Sequence, residues 1–518
     1  MKQSKPITME PAKPITRRTA LVKAAQLGIS MAAFKSLAGA EGVVPARTAS
    51  PVGGRTTLLF FDDEALFIRT NVVRRLGMPE RRSVYHETLG NCTWGYPGVF
   101  RCEDGKWRMI YQAGINKTQR GGGVYLLAES DDGLAWRPRN TEKELTIPGR
   151  VAPHQILPEE DDGLLSSVYD DPWPVSPRER YKLLTVQVRH HTTALWTSPD
   201  LLHWSRAGSG WQKEAPDPPT FVYWNDIRQC YLLATRPGHG DRRICLAETK
   251  DWKTFSKRRL VLQADAEDQP LAQLYGMFVL PYEGYYIGLL WLYYAGAASA
   301  KHAWTPTRYL GGKQETYLAY SMDGDQWQRC FRQPLFRNGK PGDPDAGCLQ
   351  LASMVRLQDG TLRGYASCST REHGECPPND GYIVAYDLRR DGFVFLEAHE
   401  SVGLVGTRAL YWQGGEVEIN AATKNGKVRA RVVADNGDPF PGFGFEDSMP
   451  LLGDDTAWTP GWQSGVTLQS LAGKMIRIDL ELTNARLYGL RGNFVLSRVA
   501  EIRKFKATGA APVREKGF

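Results

Sequence analysis

Acidic residues recur along this chain just ahead of alternating apolar runs: Glu87, Asp162, Asp217, Asp268, and Asp343 with Asp345. Cleavage of a glycosidic bond needs two carboxylates about 5–10 Å apart, one ionised and one protonated near neutral pH. Acids in loops also cap turns and face solvent, so their place relative to the strands separates the two uses. Asp217, Asp268 and Asp345 each stand within ten residues of the apolar run that follows, and with Glu87 they form the candidate catalytic set. Asp217 reads as the acid/base, and Asp345 or Asp268 as the second carboxylate. Around them, Trp94, Tyr96 and Tyr275 are candidates for stacking on sugar faces. Arg236, Arg242 and Arg243 flank one loop and carry guanidinium forks suited to carboxylated or sulfated sugars, and Asp343 can accept from hydroxyls.

Other chemistries find little footing. His86-Glu87 and His190-His191 offer imidazoles, but neighbours on a strand face opposite ways, so no metal site is expected. There is no phosphate loop, no Gly-x-Gly-x-x-Gly after a strand and no Gly-x-Ser-x-Gly elbow. No cofactor is implied.

The elements that must position these residues are set by a repeat. Four segments share one shape: 125–136, 194–204, 244–255 and 317–327. Each runs from an alternating strand into Ser/Thr-x-Asp and closes on Trp136, Trp204, Phe255 or Trp327. A looser fifth copy spans 382–393. Strand, tight turn and closing aromatic make a β-hairpin. Each is preceded by another strand pair, turning near Glu103-Asp104-Gly105, 176–179, Asn225-Asp226, Glu283-Gly284 and Asp359-Gly360. Two hairpins per repeat give a four-stranded blade, so the sequence predicts an all-β chain with a five-bladed β-propeller over 85–400. Strands alternating with Gly, Asp and Pro turns over 401–500 predict a C-terminal β-sandwich. Residues 41–84 read as a lead-in along one strand, and 501–518 as a flexible tail.

Five such blades followed by a sandwich resemble the five-bladed propeller glycosidases, glycoside hydrolase family 32 and the looser family 43 group. The resemblance implies an axial funnel lined by acids from several blades and a carbohydrate substrate. Gly105-Lys106-Trp107 fits the strand that partners the family's Asn-Asp-Pro motif, but the motif itself is replaced by Trp94-Gly95-Tyr96-Pro97-Gly98. Leu164-Leu165-Ser166-Ser167 stands where Arg-Asp-Pro is expected, and Ala215-Pro216-Asp217-Pro218 partly matches the acid/base motif. The chain therefore reads as a divergent sibling with relocated acids. A non-catalytic carbohydrate-binding propeller, a glycan phosphorylase and a sialidase-like enzyme are the alternatives.

Charge sharpens the setting. The 518 residues carry a formal +8, of which residues 1–40 supply +6. The remainder is close to neutral, which leaves no electrostatic case for nucleic acid. Thr16-Arg17-Arg18-Thr19, a modest apolar run and Ala38-Gly39-Ala40 resemble a twin-arginine (Tat) signal. This predicts cleavage after Ala40, passage through the Tat export machinery, and a periplasmic or extracellular product. No window reaches the ~18 apolar residues of a membrane span. All eight cysteines follow that segment without a Cys-x-x-Cys pair. Cys230 with Cys245 and Cys368 with Cys376 could form disulfides, or remain buried thiols.

Overall fold

The computed structural model describes residues 55–513, apart from 90–94, 115–122, 159–162, 188–190, 209–216, 238–241, 295–302, 306–307, 310–311 and 374–379. Asp162, Trp94, His190, Cys92, Cys376 and the export segment lie outside the described residues. The chain is almost entirely β, and no helix among the described residues is long and apolar enough to cross a membrane.

Residues 98–388 form antiparallel groups of four strands. The first runs Gly98–Arg101, Trp107–Gly114, Gly123–Ser130 and Arg137–Pro138. The second spans Gly163–Asp170 to Ser205–Gly208, and the third Phe221–Asn225 to Arg259–Leu262. An eight-stranded sheet follows, whose halves meet through a single parallel pair, Gln314 with Cys348. Its first half holds Ala272–Tyr282, Tyr285–Tyr294 and Gln314–Ser321, with Pro334–Phe336 on the edge. Its second half holds Cys348–Arg356, Leu362–Ser369 and Tyr382–Leu388, and is completed by Glu80–His86 from the other end of the chain.

Period-two alternation explains why these groups stack. Consecutive residues of each second strand feed opposite cores: Met109 and Ile110, Leu183 and Leu184, Leu232 and Leu233, Leu289 and Leu290, Tyr365 and Ala366. Each apolar core is shared by two neighbouring groups. The cycle closes where Tyr365 and Ile383 of the last group pack with Val99 and Trp107 of the first. The five first strands touch in the same cyclic order.

The repeat has one local cause. Ser130, Ser198, Thr249 and Ser321 donate a hydroxyl to Asp132, Asp200, Asp251 and Asp323, whose carboxylates accept the next turn's backbone N–H groups. The residue after each aspartate has positive φ: Gly133 (72°), Leu201 (68°), Trp252 (59°) and Gly324 (73°).

Beyond residue 393 the structure departs from the expected pair of facing sheets. Ten strands form one hydrogen-bonded sheet, curled as a half barrel around a single core. Its two long strands, Glu418–Ala434 and Met475–Gly492, pair along their length with register breaks at Asn420/Ala421 and Thr423/Lys427. Such bulges bend strands sharply enough for one sheet to enclose its own apolar face. The lead-in is more than one strand: Thr56–Leu59, Leu66–Thr70 and Val73–Leu76 all join this sheet. The tail forms a helix, Val499–Thr508, stopped by Gly509 at φ 69°. Cys230, Cys245 and Cys368 are free thiols, so Cys230 and Cys245 are not bridged.

Candidate active site

Where the first strands of the cycle meet, Tyr96, Phe221, Tyr275, Trp291, Tyr293 and Ala352 form one apolar cluster. β-Bulges bring side chains there. Each first strand of the second, fourth and last groups carries one extra residue relative to its partner: Ser166, Tyr275 and Ala352. A bulge re-aims a side chain that strict alternation would direct elsewhere, and it turns Tyr275 and Ala352 inward. Trp291 is fully buried, donates Nε1–H to the Leu351 carbonyl (2.9 Å) and stacks on Tyr96 at 5.4 Å. Tyr96 is held at φ 39°, with its N–H donated to Ser367 Oγ (2.9 Å). Gly276 lets the loop ahead of the third group approach, since a Cβ there would lie 2.5 Å from Pro219.

Asp217 sits on that loop with its side chain 54% exposed, and its Oδ2 accepts from Nη1 of the buried Arg236 (2.7 Å). Arg236 also donates Nε–H to the Tyr275 carbonyl (2.7 Å), and its guanidinium lies 3.9 Å from the Tyr275 ring centre. Arg242 lies 5.1 Å from the centre of Tyr275 and 5.2 Å from that of Tyr293. The Tyr275 hydroxyl meets His373 Nε2 at 3.1 Å, and the charge of neighbouring Glu372 acts on Tyr293. Burial opposes the charge on Arg236, but Tyr275 and Asp217 more than offset it and raise its pKa. At Arg242 burial, then the Arg236 charge, lower the pKa, and Tyr275, Tyr293 and Asp217 offset them only in part. Burial pushes the Tyr96 phenol well above its ordinary value, which makes it a poor nucleophile.

Of the sequence candidates, the structure brings Asp217, Tyr96, Arg236 and Tyr275 together. It does not bring the other three catalytic candidates to them. Asp268 is clamped by both terminal nitrogens of Arg329 (2.7 Å each), which lowers its pKa against the opposing effect of burial. Asp345 is buried between Arg81 (3.0 Å) and the Tyr386 hydroxyl, and Asp343 shares Arg81 at 3.4 Å. Glu87 accepts from Tyr111 (2.5 Å), Tyr85 (3.1 Å) and the Leu89 N–H (2.8 Å), and meets His154 Nε2 at 3.1 Å. Burial resists its ionisation, yet these partners, His154 and Tyr111 foremost, hold it down at about 2. All three have fold-holding partners where they stand. Of the three candidate arginines, Arg236 and Arg242 lie against the Tyr275 ring, and Arg242 lies near Tyr293 as well. Sequence reading missed Glu372 and His373, which lie in a connection with no periodicity to mark them.

Among the described residues no three His, Cys, Asp or Glu side chains cluster as metal ligands. No family model matches the chain, and no curated protein matches it. Solved structures with a similar course include a glycosyl hydrolase from Bacteroides ovatus, at 14% identity over 60% of this chain and 94% of that one (TM-score 0.38). An N-acetylgalactosamine deacetylase from F. plautii matches at 12% identity over 62% and 96% (TM-score 0.40). A protein of the GH130 family of mannoside phosphorylases matches at 16% identity over 60% and 94% (TM-score 0.38). At such scores the likeness by itself assigns neither activity nor substrate.

Proposed function

We propose that the chain is an exported glycoside hydrolase whose site lies on the axis of a five-bladed β-propeller. The propeller reading is supported by the closed cycle of four-stranded groups, each burying both faces against its neighbours. Asp217 carries the catalytic reading: a half-exposed carboxylate fixed by a buried arginine at the edge of a buried aromatic cluster, where the first strands of the groups meet. A carboxylate with one oxygen engaged by a guanidinium suits a nucleophile or base better than a proton donor. Glu372, next to His373 and acting electrostatically on Tyr293, is the candidate for the second carboxyl, which would protonate the leaving oxygen. Export rests on Arg17-Arg18 and the small-residue site at 38–40. The test is turnover of a polysaccharide and oligosaccharide panel by the chain from Glu41 to Phe518. Release of reducing ends is expected. Binding without release would favour a non-catalytic propeller, and neither would remove the carbohydrate reading.

A further inference from the structure

Two guanidiniums share the Tyr275 ring, and among the described residues only one of them is in an ion pair. Arg236 takes Asp217. Among the described residues Arg242 is in no ion pair; its one polar contact is Nη1–H donated to the neutral Gln273 Oε1 at 3.0 Å. Arg242 Nε and Arg236 Nη2 are buried donors with no hydrogen-bond partner. A buried, unsatisfied donor on a charged group is costly, and the same vacancy is a recognition site for an oxyanion. The surroundings fit a ligand entering from solvent: Asp217 is half exposed and Arg242 keeps part of its surface open, with the buried Tyr275 and Tyr293 behind them. Asp217 faces this pair and would repel an anion seated beside it. The anionic group must therefore sit on the Arg242 side, with the neutral part of the sugar toward Asp217.

We infer that the Arg236–Arg242 pair recognises an oxyanion carried by the sugar, a uronate carboxylate or a sulfate ester, so that the substrate is an acidic glycan. This rests on the carbohydrate reading above and narrows it. The unpaired donors favour it over a neutral sugar, whose hydroxyls would leave the Arg242 charge uncompensated.

The test is a glycan array of matched neutral, uronate-containing and sulfated oligosaccharides, probed with the chain and with Arg242→Gln and Arg242→Lys, each checked by thermal melting. Uronate or sulfated members should be bound in preference to their neutral counterparts, and which of the two binds identifies the oxyanion. Arg242→Gln should cut the acidic-to-neutral affinity ratio by about 10- to 100-fold, the worth of a charge-assisted hydrogen bond. Arg242→Lys should retain part of it. Binding of neutral glycans alone, or an unchanged ratio in a folded Arg242→Gln, overturns the inference and leaves the carbohydrate reading standing. Binding of no glycan overturns both.

Discussion

Glu87 shows why a carboxylate's type and position do not reveal its task. Ahead of the first strand it reads as catalytic, yet it is a buried anion tied to Tyr111, Tyr85, His154 and a backbone N–H. Its folded pKa of about 2 lies below its ordinary value of 4.5. It therefore contributes stability above about pH 5 that is lost as pH falls toward 2, on the order of 3 kcal/mol. Urea unfolding of Glu87→Gln between pH 6 and 2 should show a flatter acid limb than the parent; equal slopes would contradict this account. Asp217 differs by being half exposed, with a partner on only one flank. That contrast was invisible in sequence, because Arg236, Arg329 and Arg81 are all ordinary arginines until the fold chooses their neighbours.

Strands and hairpins were legible because their causes are local. Alternation sets faces, and Ser/Thr-x-Asp closes each turn with its own side chains. Leu201 and Trp252 show a tertiary effect overriding a local one. Both sit at the positive-φ position that holds glycine in two other copies, and both side chains are buried. Relieving the backbone in Leu201→Gly recovers about 1 kcal/mol, whereas emptying its place costs about 2–5 kcal/mol. The variant should be less stable by about 1–4 kcal/mol in denaturant unfolding; a more stable one would refute this balance. The bulges at Ser166, Tyr275 and Ala352 had no sequence signal, since each depends on the partner strand's register. The curl of the last sheet was hidden for the same reason, its breaks lying between strands far apart in sequence.

On the scale of the whole molecule, the loosest copy of the repeat has a second use. Asp391, at φ 60°, accepts from Tyr282 (2.7 Å), Arg491 (2.8 Å) and Asn420 (3.0 Å), tying the ring of sheets to the curled sheet. The lead-in reinforces that junction, with Phe61 stacked on Tyr320 at 4.8 Å. Asp391→Ala would leave Arg491 buried without its carboxylate, a loss of about 3–5 kcal/mol. Unfolding followed by tryptophan fluorescence should then separate into two transitions, whereas a single unshifted transition would show the junction to be unimportant. The most direct test is the initial rate of Asp217→Asn on the substrate the panel identifies. The account predicts a fall of about 10²- to 10⁴-fold in a variant that still folds and melts cooperatively, and turnover equal to the parent's would contradict it.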